Sequence, residues 1–271
     1  MNISHLKHTC IGCGRPKASI LASGEKFNKE HVTPVWLILR TNTNNTRVTW
    51  LSDRMIPALS AKIPICTKCN DLFGNKLEGP VRGIFDKIEA GLGITDYQAE
   101  ILIRWMWKFE GMFWQMRNGV TGFSDGRTLR SRVLDDLGEI RHQLILAIAR
   151  IESIDQNHGD LPMGIDSYNK HSAVFVSGVF SKLAIIVSLE KYSNHIPANF
   201  SKYRLLEKRR PGTTVTAFKP GIGFQDDNAA VDITRNVSPE LSRLHDIEYV
   251  ESISTQVFLD KWDIIKNTLN K

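Results

Sequence analysis

The four cysteines of the chain fall into two pairs, Cys10-Ile-Gly-Cys13 and Cys66-Thr-Lys-Cys69. A two-residue spacer lets each pair grip one ion from a tight turn, and four thiolates suit tetrahedral Zn²⁺ with sulfur at ~2.3 Å. Gly12 and Gly14 relieve the backbone of the first knuckle, and Pro64 stiffens the approach to the second. Redox chemistry is the rival use of such a motif, but two pairs with no surrounding βαβ pattern favour metal. The gap from Cys13 to Cys66 holds 52 residues, so the ion would close a large loop. Inside it stands Glu30-His31-Val32-Thr33-Pro34, and Asn70 follows the last cysteine directly. A zinc staple, a candidate general base and candidate ligands for a second metal thus share one stretch.

The elements that must position these groups are read from pattern. Turn formers dominate residues 1–80, with an Asn/Thr tract from Thr41 to Thr46 as a loop and Arg47 to Leu51 as a short strand. So small a segment needs a metal or a neighbouring domain to hold its shape. Gly79-Pro80 marks a boundary, and residues 81–152 are expected to form a helical region. Thr95 and Gln98 make a capping box for a helix running through Leu102, Met106, Phe109 and Phe113 to a stop at Asn118-Gly119. With Trp105, Trp107 and Trp114 this helix is apolar on nearly every side, which predicts a central buried place. Leu129, Val133, Leu137, Ile140, Leu144, Ile148 and Ile151 repeat in steps of four and three, which predicts a second helix packed on the first or used as a dimer contact.

Residues 153–271 give a mixed α/β expectation. Ala173–Phe180 and Leu183–Leu189 read as a hairpin around Ser181-Lys182, and Thr213–Phe218 as a further strand. Ser238-Pro239 predicts the start of a short helix, and Val257, Phe258, Trp262, Ile265 and Leu269 mark a final amphipathic one. The expected fold class is α+β: an N-terminal zinc-stapled module, a central helical hairpin and a mixed C-terminal region.

Composition narrows the setting. Of 271 residues, 42% are hydrophobic and 24% charged, ordinary for a globular protein. The N-terminus has no apolar signal region and no run approaches ~18 apolar residues, so a cytoplasmic protein with reduced thiols and no membrane partner is expected. The net charge of +6 is uneven: Met1 to Arg82 carry 12 Lys+Arg against 5 Asp+Glu, leaving 23 against 24 for the rest. A basic surface attracts polyanions through counterion release, which makes nucleic acid the expected partner. Lys68 and Lys76 lie beside the motif, and Lys202, Arg204, Lys208, Arg209 and Arg210 cluster around Tyr203 as a second candidate backbone contact.

The ordered set CxxC, Glu30-His31, CxxC-Asn70 resembles the HNH or ββα-metal endonuclease superfamily, and within it the phage endonuclease VII type, over roughly residues 8–80. The resemblance implies a β-hairpin followed by a helix around one catalytic divalent ion. It implies that Glu30 and Asn70 are ligands to Mg²⁺ or Mn²⁺ and that His31 takes a proton from the attacking water. Cys10, Cys13, Cys66 and Cys69 would be the zinc scaffold. The acid is Glu where the family more often has Asp, and the family's middle Asn has no assigned place here; Asn42, Asn44 and Asn45 are candidates by position. Glu78, eight residues after Asn70 and so on about the same helix face, is a further candidate ligand, or alternatively a partner of Lys76 or Arg82.

The chemistry needs these types. A phosphodiester is anionic, so a divalent cation offsets charge growing on the leaving 3′ oxygen, and an imidazole with a reference pKa of ~6.5 is free to accept a proton. The expected activity is metal-dependent hydrolysis of DNA phosphodiester bonds, controlled through residues 81–271 by a partner protein or homodimer contact, as in phage defence. The rival expectation is a zinc-stabilised nucleic-acid-binding module that acts with a partner and does not cut.

Overall fold

The computed structural model describes residues 5–50, 54–123, 126–154, 174–206 and 217–269, which form a mixed α/β structure. In its N-terminal part, α1 (Lys17–Ala22) precedes β1 (Phe27–His31), α2 (Val35–Arg40) and the pair β2 (Arg47–Trp50) and β3 (Arg54–Pro57). Then β4 (Lys62–Cys66) runs straight into α3 (Thr67–Phe73). β1 pairs antiparallel with β4 from Phe27↔Cys66 to His31↔Lys62, so the intervening residues form an insertion in a hairpin. Cys66 caps α3: its sulfur accepts from the Cys69 N–H at 3.4 Å. One π turn, Gly74–Glu78, joins α3 to α4 (Gly79–Glu89), so a helical run crosses the Gly79-Pro80 position.

α5 (Asp96–Asn118) is the helix its sequence predicts, with both halves of the Thr95/Gln98 capping box formed and Gly119 left-handed at φ 66° behind it. The next segment corrects the expected second helix. Only α6 (Leu129–Leu134) is α-helical; Asp135 is extended, Gly138 takes φ 55°, and Leu144–Ile151 is a strand, β5. The four-and-three spacing coexists there with LILAIARI, where apolar residues fill consecutive positions. Such a run fits a strand covered on both faces better than a one-sided helix, and the left-handed glycine breaks the path into it. Residues 95–152 therefore form one long helix and one short helix feeding a sheet, not a helical hairpin.

That sheet has the order β6-β7-β5-β8, with β6 at Val176–Phe180, β7 at Leu183–Leu189 and β8 at Ser201–Arg204. β9 (Ile222–Phe224) pairs parallel with β5 beyond the end of β8. β6 and β7 are the expected hairpin, turned by Ser181 at φ 54° and Lys182. Of the expected strand at Thr213–Phe218, residues 213–216 lie outside the described residues, and Phe218 makes an isolated bridge to Ile94. The expected helix start at Ser238-Pro239 is instead inside α7 (Asp227–Leu269). There Ser238 donates to the Phe175 carbonyl at 3.1 Å instead of capping. Proline removes one helical hydrogen bond, and the packed face of Ala230, Val237 and Leu241 carries the helix through.

α5 and α7 cover opposite faces of the sheet, following the two-residue period of β6. Phe175 and Ser177 meet α7, Ser177 donating to the Thr234 carbonyl, whereas Phe180 meets Trp105 and Phe109 of α5. The other side of α5 reaches the N-terminal part, where Gln115 donates to the Ile11 carbonyl and Trp105 stacks edge-on with Phe85. One contiguous hydrophobic cluster thus extends from Leu6 to Leu241.

Candidate metal centre

Cys10, Cys13, Cys66 and Cys69 converge with their sulfurs all within 4.8 Å of one another. A tetrahedron with zinc–sulfur arms of ~2.3 Å has edges of about 3.8 Å, and the Cys13 and Cys66 sulfurs stand 4.0 Å apart. Two backbone donors face the sulfurs: the Cys66 N–H donates to Cys10 Sγ at 3.2 Å, and the Cys69 N–H to Cys66 Sγ. Gly12 lets the knuckles close, since a Cβ there would stand 2.8 Å from Cys69 Cβ and 3.0 Å from its sulfur. Gly14 turns the chain at φ 71°.

The thiols hold their protons unequally. The hydrogen bond shared with Cys13, reinforced by burial, pushes Cys10 up to about 11. Contact with Cys10 and Cys13, together with burial, raises Cys69, whereas Cys13, receiving from Cys10, Cys69 and Arg15, is lowered. So many sulfurs cannot ionise together without a cation among them, and the soft, buried donor set fits zinc. Among the described residues this quartet is the only group of three or more His, Cys, Asp or Glu side chains whose donor atoms converge for a metal.

β1, β4 and α3, held at one end by these cysteines, carry the other predicted residues. Their register is regular, so Glu30 and His31 point to opposite faces of the hairpin. Glu30 lies opposite buried Ile63 and faces inward. His31 lies opposite Lys62, with Lys29 on the same face two residues earlier; Lys29 and Lys62 are exposed. Burial, then the Lys62 charge, lowers the imidazole's pKa against the pull of Glu30 and a hydrogen bond to the Leu59 backbone. The ring is therefore kept neutral and able to accept a proton. Asn70 sits in α3, and its Oδ1 is buried with no hydrogen-bond partner among the described residues. A buried carbonyl oxygen without a donor is costly, and an amide oxygen of this kind is a competent ligand for a hard cation.

Glu78 occupies a different kind of place. Its Oε1 accepts from Lys108 Nζ at 2.7 Å and from Trp105 Nε1 at 3.1 Å, and its Oε2 accepts from Trp36 Nε1 at 3.1 Å. The π turn, one residue wider than an α turn, ends on this carboxylate. Lys108 also donates to Glu30 Oε1 at 2.8 Å, and its ammonium lies 5.4 Å from the centre of the Phe73 ring. Only 1% of the Lys108 side chain is exposed. Burial disfavours its charge, yet Glu78 and Glu30 together hold its pKa above the ordinary lysine value.

Glu30 and Glu78 are thus brought together through Lys108, while His31 stands on the other face. Lys68 and Lys76 are exposed near α3, and Lys208, Arg209 and Arg210 lie outside the described residues. Sequence reading missed Lys29 and Lys62 beside His31, which only the strand register reveals, and Lys108. The signal for Lys108 was present: it and Glu110 are ionisable residues within the apolar stretch Trp105–Phe113, and both are buried. No helix of the described residues is long and apolar enough to cross a membrane. Comparison with family models, curated proteins and solved structures found no match to this chain.

Proposed function

We propose that this protein is a metal-dependent endonuclease of the HNH type, acting on DNA, with zinc as its scaffold ion. The observation that carries the reading is the unpartnered, buried Asn70 Oδ1 on a helix that directly follows a hairpin bearing Glu30-His31, all clamped by the cysteine quartet. Glu30 and Asn70 are the oxygen donors for a hard ion of the Mg²⁺ or Mn²⁺ type, which would offset charge on the leaving 3′ oxygen. His31 accepts the proton of the attacking water, its neutral state favoured by burial and Lys62. Lys29 and Lys62, on the His31 face, together with Lys68, engage backbone phosphates without reading bases. Residues 81–271 act as the control region, through a partner protein or a second copy.

The test is cleavage of supercoiled plasmid by wild type and His31→Ala with Mg²⁺, Mn²⁺ or EDTA. Metal-dependent nicking or linearisation that His31→Ala lowers by at least a hundredfold is the expected result. Equal cutting by both proteins would remove His31 from the role.

One arrangement favours a second reading, a zinc-stabilised nucleic-acid-binding module without cleavage. The Glu30 carboxylate is engaged by Lys108 and does not face the same side as His31. Plasmid left intact under every metal condition, while the protein still retards DNA with steep salt dependence, would establish this reading over the first.

A further inference from the structure

Lys108 is the least expected group near the hairpin. It is too deeply buried to touch a substrate, and it is clasped by two carboxylates of unlike standing. Glu78 is held by three donors, two of them indoles, and so serves as the fixed counter-ion. Glu30, with 18% of its side chain exposed, reaches the boundary between core and solvent. A divalent ion arriving from solvent at Glu30 meets a permanent positive charge already bonded to the same carboxylate. Like charges at such range repel strongly in a water-poor setting, and the ammonium also uses one oxygen that the ion would take.

We infer that Lys108 is a built-in competitor of the divalent ion at Glu30, a positioning residue that keeps the metal seat weak until something else helps to fill it. The inference rests on the reading of Glu30 as a metal ligand. The something else is an anionic substrate: a phosphate brings negative charge and further oxygen ligands, which offset the ammonium. Metal and nucleic acid then bind together better than either binds alone, which restrains cleavage when no substrate is present.

Mn²⁺ titration of the zinc-loaded full chain, followed by calorimetry and by the loss of free-ion electron paramagnetic resonance, tests this without an activity assay. Lys108→Met leaves an unpaired buried carboxylate, so Lys108→Met with Glu78→Gln is the companion variant, removing one charge of each sign. Both should bind Mn²⁺ about tenfold or more tightly than wild type. Lys108→Arg should keep the weak affinity, and adding Glu30→Gln to the double variant should abolish the gain. Affinity that stays the same or falls in the double variant, with one zinc per chain retained, overturns the inference while Glu30-dependent binding by wild type preserves the metal seat. No Mn²⁺ binding by any variant removes both.

Discussion

The hairpin β1–β4 with α3 and the sheet β5–β9 solve the same problem by different means. Every residue of β6 and β7 is buried between α5 and α7, so the sheet is held by apolar area on both faces. The hairpin has one face to solvent, four cysteines at one end and an interior lysine between two glutamates at the other. A cysteine quartet and a buried ion cluster are there added to the apolar contacts of Ile63, Ile65, Phe73 and Leu77. The hairpin thus holds charge and soft donor groups in its interior, which the two-sided apolar sheet does not.

Removing zinc should show the largest difference. Structural zinc contributes roughly 10–16 kcal/mol of apparent binding free energy in zinc-finger peptides, so its loss should release β1 and β4 from their pairing. A thiol-blocking reagent with a chelator should free one zinc per chain and raise amide exchange in Phe27–His31 and Lys62–Cys66, while β5 and β7 keep their protection. Simultaneous loss of protection in both would break the comparison and make the two regions one cooperative unit.

Leu146→Ala probes the other side. Its side chain is fully buried in β5, and a cavity there should cost about 2–5 kcal/mol in urea unfolding. Zinc content should stay at one per chain; its loss would show that the staple depends on the sheet. The smallest change is Thr95→Ala, which deletes the hydroxyl that accepts from the Gln98 N–H in the α5 capping box and should cost about 1 kcal/mol. Because α5 touches both regions, this variant should loosen the hairpin and the sheet together, detectable as an equal shift in exchange at β4 and β7.

The parts that were legible in the sequence are those whose partners are near in the chain or whose chemistry is distinctive. The capping box spans four residues, the Ser181-Lys182 turn joins adjacent strands, and four cysteines in two knuckles have few alternative partners. Leu144–Ile151 misled because its four-and-three spacing also satisfies a strand buried on both faces; only the covering helices decide between them. Ser238-Pro239 misled because a local start signal was overridden by packing along α7.

By itself, then, the sequence determined the cysteine quartet, the long central helix, the β6–β7 hairpin and the placing of Glu30-His31 before an Asn-bearing helix. The tertiary structure alone decided that Glu30 faces inward and His31 outward, that Glu78 is a counter-ion, and that Lys108, 78 residues from Glu30, supplies the charge between them. The physical reason is reach: turns, caps and knuckles act over a few residues, whereas a buried ion pair joins groups that only the folded chain brings within 3 Å.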